Sequence, residues 1–307
     1  MEQKKSKTKN KVLILFLVLF LVPFLAFSQS DVLILKSLNV GPYNEAVRGI
    51  EKVLPGSASV YNIGGNLQKG REILKEHPGA KVIAAIGWPA TDAAVKYGSG
   101  RPVVFSMILS EEWPLVQNEN ATGVFMDVGP QEQLTVLKRA FPDLKSVGVL
   151  YNPEKTGPEV ENAKTIAQGL GFHLDAVAIS SPRQVPQALR KILPHIGALW
   201  MVPDSSVLTP DSFMFMNEKM MRYHLPFLVF SSEFVKVGGL FALSPDYFHI
   251  GEQTGRMISE VLNGNPISQI PPAYPHHFTL VINMRILREL KLHFPSSMLA
   301  AAKRIGE

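Results

Sequence analysis

The chain has 307 residues, of which 31 are Lys or Arg and 26 are Asp or Glu, and it contains no cysteine. The lack of cysteine excludes disulfide bonds, thiol catalysis, cysteine–zinc sites and a lipid-modified N-terminal cysteine. Most of the excess basic charge comes from five lysines within the first 28 residues, so the remaining chain is nearly neutral. This balance gives no support to nucleic-acid binding.

The first 28 residues have the organisation of a secretory signal peptide. A lysine-rich leader precedes an apolar run from Val12 to Phe27, and Ala26 and Ser28 supply small residues at a cut site. The sequence therefore predicts cleavage near Ser28 and a periplasmic location. The alternative is an uncleaved membrane anchor. As a helix this run would span about 24 Å, less than the ~30 Å hydrocarbon core, and Pro23 interrupts it, so cleavage is favoured.

From Asp31 onward, apolar strand patterns alternate with helical patterns. The first half contains predicted strands at Val32–Leu38, Ser59–Ile63, Val82–Ile86 and Val103–Ile108. Between them lie predicted helices at Tyr43–Leu54, Leu67–Glu76 and Ala90–Tyr97. This alternation predicts parallel βαβ units, and the continuous apolar strands are typical of a sheet that is covered on both faces.

The same alternation restarts after a break near Asn120–Pro130. The predicted helices are Gln131–Ala140, Pro158–Leu170, Pro182–Leu193 and Asp211–His224. The predicted strands are Ser146–Tyr151, His173–Ala178, Ala198–Val202 and Phe227–Val229. A late helix at Asp246–Leu262 precedes a strand at Phe278–Asn283 and a last helical segment. The sequence therefore predicts an α/β fold with two doubly wound, Rossmann-like lobes.

Candidate ligand-binding residues follow from this fold. In an open α/β sheet, ligands bind at the carboxyl ends of the strands, where the strand order reverses. The strand ends and the loops after them, together with the start of the late helix, supply the candidates. They are Tyr43, Asn44, Gly87, Trp88, Pro89, Ala90, Thr91, Ser106, Asn152, Asp204, Ser205, Ser231, Glu233 and Asp246. The alternative for each loop is ordinary surface polarity.

The segment from Gly87 to Thr91 is the most informative of these loops. Pro89 at the start of a helix leaves the next amides free, and a helix start attracts carboxylates through such amides and the helix dipole. Trp88 could stack on a flat or apolar ligand. The alternative is a capped helix whose tryptophan is wedged into packing.

Signatures of catalysis and metal binding are scarce. The sequence contains no G-x-S-x-G and no H-E-x-x-H. Gly65–Glu72 has the glycine spacing of a P-loop but lacks the Lys-Ser/Thr that holds phosphate and magnesium. His276 and His277 are adjacent on an extended segment and point to opposite faces, so they cannot chelate together. The sequence predicts no catalytic residue, no cofactor and no metal site.

Several stretches together resemble a known family. They are Ala85-Ile86-Gly87-x-Pro89-Ala90, Asn120-Ala121-Thr122-Gly123, the run from Phe141 to Pro153, Phe234-Val235-Lys236-x-Gly238, Asp246-Tyr247 with Gly251, and Phe278-x-Leu280-Val281-Ile282-Asn283. With these stretches the chain resembles the ABC-transporter substrate-binding protein family, which has the type I periplasmic-binding fold. The better-known members bind aromatic amino acids such as tryptophan. The resemblance covers nearly the whole chain after the signal peptide.

The resemblance implies two lobes joined by a hinge with several crossovers. By that pattern residues 31–122 form the first lobe and residues 242–266 return to it, whereas residues 123–241 and 267–307 form the second. It also implies a monomeric periplasmic protein that captures an amino acid or similar carboxylate by hinge closure. The partner would be the ABC permease of an importer in the inner membrane.

The chain departs from the family pattern in the expected cleft. Trp88 replaces a small hydroxyl residue, Leu109-Ser110-Glu111 replaces a Thr-Asp-Pro-like loop, and Ser205 replaces the Asn of an Asp-Asn pair. The resemblance therefore does not identify the ligand. Two alternatives stay open at this point. One is an extracytoplasmic sensing module for a membrane receptor or histidine kinase, and the other is an exported enzyme on the same scaffold.

Overall fold

A computed structural model of the chain describes residues 30–307, with the exception of residues 55 and 57. The predicted signal peptide, residues 1–28, lies outside the described residues. Within the described part of the chain, no helix combines the length and the apolar character that crossing a membrane requires.

The first lobe is built on a five-stranded parallel sheet. Its strands are β1 (Val32–Lys36), β2 (Ala58–Asn62), β3 (Val82–Ile86), β4 (Val103–Ile108) and β5 (Ala121–Phe125). Its helices are α1 (Gly41–Val53), α2 (Leu67–Glu76), α3 (Trp88–Tyr97) and α4 (Trp113–Val116). The strand order is β2-β1-β3-β4-β5. Because the order reverses at β1, the carboxyl ends of β1 and β3 flank a topological switch point.

The second lobe is built on a seven-stranded sheet. Its strands are β6 (Ser146–Tyr151), β7 (His173–Ala178), β8 (Ala198–Trp200), β9 (Phe227–Leu228), β10 (Phe241–Pro245), β11 (Phe278–Asn283) and β12 (Lys303–Ile305). The helices of the remaining chain are α5 (Pro130–Ala140), α6 (Pro153–Gly169), α7 (Val185–Ile192), α8 (Pro210–Tyr223), α9 (Ser232–Lys236), α10 (Tyr247–Leu262), α11 (Met284–Glu289) and α12 (Ser296–Ala301). The strand order is β12-β11-β10-β9-β8-β6-β7, and β11 runs antiparallel to β10. A second switch point therefore lies between β6 and β8.

Alternating side chains of the strands fill the two faces of the first sheet. Ile34 packs with Ile50 of α1 and Ile258 of α10, whereas its neighbour Leu35 packs on the opposite face with Leu74 of α2. All five residues of β3 are buried. A strand with both faces covered needs apolar residues at every position, which explains its unbroken Val-Ile-Ala-Ala-Ile sequence. The prediction of two α/β lobes is confirmed.

Helix α10 follows most of the second lobe in sequence but packs against α1 of the first. A Cβ atom added to Gly49 would lie 2.0 Å from Phe248 O, and one added to Gly251 would lie 2.0 Å from Ala46 O. The two helix backbones therefore touch at paired glycines, and any side chain there would force them apart. The chain passes between the lobes after β5, after β10 and after α10.

Three strands are missing from the sequence-based assignment, and two of them cross the expected lobe boundaries. Strand β5 continues in the first sheet to Phe125, beyond the expected boundary at residue 122, because Gly123 lets it lie against β4; a Cβ there would be 2.0 Å from Phe105 O. Strand β10 lies in the second sheet, although residues 242–266 were assigned to the first lobe. The third unpredicted strand is β12. Ala273 bridges to Val124, so the start of the last segment still lies beside the first sheet.

Candidate functional site

The first-lobe wall of the candidate site is the turn between β3 and α3. Gly87 has φ +81°, and a Cβ at this position would lie 2.6 Å from the Tyr43 hydroxyl, so the phenol rests directly on the glycine. Ser37, buried at the end of β1, accepts a hydrogen bond from Ala90 N at 2.9 Å. Thr91 donates its hydroxyl to Gly87 O at 3.0 Å. The turn is therefore braced from within the lobe.

This bracing changes the carboxylate site predicted at the start of α3. The Ala90 amide is bonded to Ser37, the Thr91 amide bonds to Gly87 O, and Pro89 has no N–H. Among the first-turn donors, Trp88 N–H is left for a carboxylate. Ser37 was not a sequence-based candidate because it lies within the predicted strand Val32–Leu38.

The side chain of Trp88 is half-buried and packs against the cluster formed by Phe105, Ile108, Val116 and Phe125. Part of the side chain is thus held in the core of the first lobe. This contact supports the packing interpretation, and stacking of the ring on a ligand stays a prediction.

Two other first-lobe candidates have side-chain oxygens that already take part in hydrogen bonds within the lobe. Ser106 is fully buried and its Oγ atom lies 3.2 Å from Thr254 Oγ1 of α10, so it belongs to the core. Asn44 is half-buried and its Oδ1 accepts a hydrogen bond from Lys36 Nζ at 2.6 Å. Alternation along β4 turns the Ser106 side chain towards α10, which the sequence pattern alone does not reveal.

Asp204 organises the second-lobe wall. Its carboxylate is fully buried and accepts hydrogen bonds from Asn152 N at 2.7 Å, Thr156 Oγ1 at 2.6 Å and Ser206 N at 2.8 Å. These bonds join the loop after β6 to the loop after β8. Asn152 in turn donates from Nδ2 to Ser206 Oγ at 2.9 Å. Asp204 therefore positions the loops that carry Asn152, Ser205 and Ser206, and its own oxygens are already occupied.

The two walls meet at Glu111. This residue lies in a short 3-10 turn, Ser110–Glu112, that follows β4 of the first lobe. Its Oε2 accepts hydrogen bonds from Ser205 N at 2.9 Å and Ser205 Oγ at 3.1 Å, both from the second lobe. Lys155 of α6 donates to Ser205 Oγ and lies 3.8 Å from the same carboxylate oxygen. The carboxyl edges of the two sheets thus face each other and are bridged on one side.

A buried acidic group lies beside this bridge. Ser110 donates its backbone N–H to Asp127 Oδ1 at 2.8 Å, and its Oγ lies 2.7 Å from Asp127 Oδ2 and 3.1 Å from Glu159 Oε2. Burial raises the pKa of Asp127 to about 6. Burial and the neighbouring Asp127 raise the pKa of Glu159 to about 8. Burial, reinforced by both carboxyls, also raises the pKa of Tyr274. None of these three residues lies in a sequence pattern that points to a site.

Two of the remaining candidates, Glu233 and Asp246, lie around the crossover between β10 and α10. A cavity of about 370 Å³ is lined there by Glu45, Glu233, Lys236, Asp246 and Tyr247, among others. Glu233 pairs with Lys236 at 2.6 Å, and Asp246 caps α10 by accepting from His249 N at 3.0 Å. Ser231 is the residue before α9. The structure therefore brings Glu233 and Asp246 together in a cavity that Glu45 of the first lobe also lines.

Metal ligands are not assembled here. Within residues 30–307, apart from 55 and 57, no three or more His, Cys, Asp or Glu side chains are grouped so that they could hold a metal ion.

Comparison with known proteins gives one family. The sequence profile of the family described as ABC transporter substrate binding protein matches residues 48–305. A tyrosine-binding protein of Clostridioides difficile is 22% identical over 219 residues, which cover 69% of this chain and 63% of that protein. The chain thus spans less than two thirds of that relative's length.

Two solved structures of similar shape have functional descriptions. An ABC domain from Streptococcus pneumoniae in complex with L-Trp has a TM-score of 0.58 and 23% identity, covering 89% of this chain and 99% of that one. The ligand-free, open structure of a substrate-binding protein with adhesive properties from Clostridium difficile has a TM-score of 0.69 and 21% identity, covering 89% and 98%. At these identities the likeness concerns the fold, and it confirms the predicted type I periplasmic-binding architecture.

Proposed function

Because the chain belongs to the ABC transporter substrate-binding protein family, we propose that it captures a small ligand between its lobes and delivers it to an ABC permease. The observation that supports this proposal is that the switch point of the first sheet and the switch point of the second sheet lie at carboxyl edges that face each other. The loops after β1 and β3 in one lobe and after β6 and β8 in the other lie at sheet edges that Glu111 and Ser205 already join. A ligand held there contacts both lobes, so its binding favours their closure.

The proposed ligand is an amino acid or a similar carboxylate, and aromatic amino acids come first. Two observations support this choice: the half-buried Trp88 presents an aromatic surface, and relatives are described as binding tyrosine or carrying L-Trp. Trp88 N–H at the start of α3 would receive the carboxylate. Ser206, whose hydroxyl accepts from Asn152 and still has a proton to donate, would supply a polar contact from the second lobe, next to Asn152 and Ser205.

The proposed setting is the periplasm, reached through the signal peptide in residues 1–28, with the protein acting as a monomer. Capture and release of a ligand by hinge closure requires no bond to be made or broken. Asp204 already accepts three hydrogen bonds from its own lobe, which supports a structural role for its carboxylate.

The test is a thermal-shift screen of protein refolded from denaturant and confirmed ligand-free, using L-Trp, L-Tyr, L-Phe and the other amino acids. A ligand at one hundred times its Kd adds about 2.7 kcal/mol to the free energy of unfolding. Trp88→Ala should weaken binding of an aromatic ligand more than Trp88→Phe, because phenylalanine retains a ring for stacking. Asn265→Ala, in an exposed turn, is the control. If no amino acid or small carboxylate shifts the melting temperature, the proposal is wrong.

A further inference from the structure

The hydroxyl of Ser110 lies between two carboxyl groups that belong to opposite sides of the cleft. Asp127 follows β5 directly and stays with the first lobe, where Met126 N bonds to Ile108 O. Glu159 projects from the second turn of α6. Ser110 Oγ is within hydrogen-bonding distance of both carboxyls, at 2.7 Å from Asp127 and 3.1 Å from Glu159.

The proton count at Ser110 favours a neutral form for one of these acids. A serine hydroxyl carries a single proton and can donate one hydrogen bond, while ionised carboxylates only accept. Two ionised carboxylates cannot both be satisfied by Ser110. The chain of contacts is complete if one carboxyl donates to Ser110 Oγ and Ser110 donates to the other. The shorter contact to Asp127, reinforced by the Ser110 backbone N–H, makes Asp127 the acceptor and Glu159 the donor.

The surroundings of Glu159 favour the same assignment. Its Oε1 atom is buried and has no hydrogen-bond partner among the described residues, which would be costly for an ionised oxygen. The charged groups that act on it are all acidic: Asp127, Asp204 and Glu111. Tyr274 faces the same group, and the nearby cation Lys155 is engaged with Glu111 and Ser205.

We propose that Glu159 carries a proton when the lobes meet and donates it to Ser110, so that closure of the cleft takes up one proton. Separation of the lobes removes Ser110 from Glu159 and exposes its carboxyl to water, where it ionises at ordinary pH. The Glu159–Ser110 pair stabilises the closed arrangement of the lobes only while Glu159 is protonated. Alkaline conditions therefore favour the open arrangement. This inference rests on the hinge motion of the proposed function, but it holds for the ligand-free protein.

The direction of the pH dependence follows from the pKa of Glu159, about 8 in the closed arrangement against an ordinary value of 4.5. A carboxyl whose pKa is raised on closure favours closure at low pH and loses that contribution as pH rises through the raised value. The equilibrium constant for closure therefore falls by up to about tenfold per pH unit between these two values and then levels off. Since the pKa of Asp127 is about 6, measurements from pH 6.5 upward report mainly on Glu159.

The experiment uses the natural lack of cysteine. Nitroxide labels on Lys69→Cys in α2 and Arg190→Cys in α7, both exposed, report the distance between the lobes by pulsed electron resonance. Ligand-free protein is measured from pH 6.5 to 9. The short-distance population should fall with rising pH in the parent. It should be nearly constant in Glu159→Gln, whose amide donates to Ser110 at every pH.

Glu161→Gln on the same helix is the matched control, since Glu161 is exposed and pairs only with Lys164 at the surface. Its short-distance population should fall with rising pH as it does in the unsubstituted protein. Asp127→Asn is the second test variant: it removes a charge that raises the pKa of Glu159, so the fall should shift to lower pH. A pH-independent parent, or a Glu159→Gln variant that titrates like it, would overturn the proposal. Neither result depends on which ligand binds.

Discussion

Glu111 accepts both the backbone N–H and the hydroxyl of Ser205 on one carboxylate oxygen, across the gap between the lobes. Glu111→Ala removes both bonds. Hydrogen bonds to a charged group contribute about 1.5–3 kcal/mol, and partial exposure of Ser205 lowers this to about 1–2 kcal/mol. We expect the closed population and the ligand affinity to fall roughly 5- to 30-fold, measured by lobe-distance distributions and calorimetry. Glu119→Ala, exposed in the same lobe, should leave both unchanged. Equal effects of the two variants would contradict the role of this contact.

Asp204→Ala should destabilise the second lobe rather than only weaken ligand binding. The substitution leaves the donors on Asn152, Thr156 and Ser206 without their acceptor. Unsatisfied buried donors cost about 1–3 kcal/mol each, and entering water would relieve part of this, so a loss of about 3 kcal/mol in unfolding free energy is expected. Guanidinium denaturation measures it. Asp143→Ala, on an exposed turn, should stay within about 0.5 kcal/mol of the parent. A stable Asp204→Ala variant that has lost only affinity would show that the carboxylate instead faces the ligand.

Gly87→Ala should disturb both stability and binding. The residue has φ +81°, and its new Cβ would lie 2.6 Å from the Tyr43 hydroxyl. Gly100→Ala is a matched control, because Gly100 has φ +74° but no atom within 4 Å of an added Cβ. The backbone strain shared by both variants is about 1–2 kcal/mol. Displacement of Tyr43 should add about 1–3 kcal/mol in Gly87→Ala alone, together with a loss of ligand affinity. Thermal and chemical denaturation of the two variants separate the shared backbone strain from the displacement of Tyr43. Equal losses of unfolding free energy in Gly87→Ala and Gly100→Ala would contradict the close approach of Tyr43 to Gly87.

Gly251→Ala should separate helices α1 and α10. The added Cβ would lie 2.0 Å from Ala46 O, a backbone atom that cannot rotate away. We expect a loss of about 3 kcal/mol or more in unfolding free energy, because the helices must move apart along their contact. Gly169→Ala, in α6 with nothing within 4 Å of the added Cβ, should be neutral or stabilise by up to about 1 kcal/mol. Denaturation midpoints for the two variants provide the comparison, and a Gly251→Ala variant as stable as Gly169→Ala would be inconsistent with the packed interface.

The fold was largely predictable because most of its strands are short apolar runs, and the central strands β3 and β4 are buried at every position. Strands β3, β4, β6, β7 and β11 have the predicted bounds. Strand β5 was missed because Ala121-Thr122-Gly123 carries little apolar signal, and its place in the sheet depends on pairing with β4. Strand β12 was hidden in the same way, since Lys303-Arg304-Ile305 has no strand pattern and is held by β11.

The candidate site was less predictable because proximity between lobes is a property of the tertiary fold. The sequence indicates which loops follow strands, but it does not show that the Asp204 carboxylate accepts hydrogen bonds from neighbouring donors. It also gives no reason to select Glu159, which lies within a helix and becomes notable only when Ser110 of the other lobe approaches it. Ser106 was chosen from its position in β4, but the direction of its side chain places it in the core.

Helix α10 completes the first lobe although it is synthesised after most of the second. Until Ile250 and Ile258 have been synthesised, the surface formed by Ile34 and Ile50 lacks the second helix that packs on it in the folded lobe. The N-terminal third of the chain therefore cannot complete this side of its core by itself. The native packing of the first lobe consequently requires a nearly finished polypeptide, because α10 follows β6 to β10 of the second lobe in the sequence.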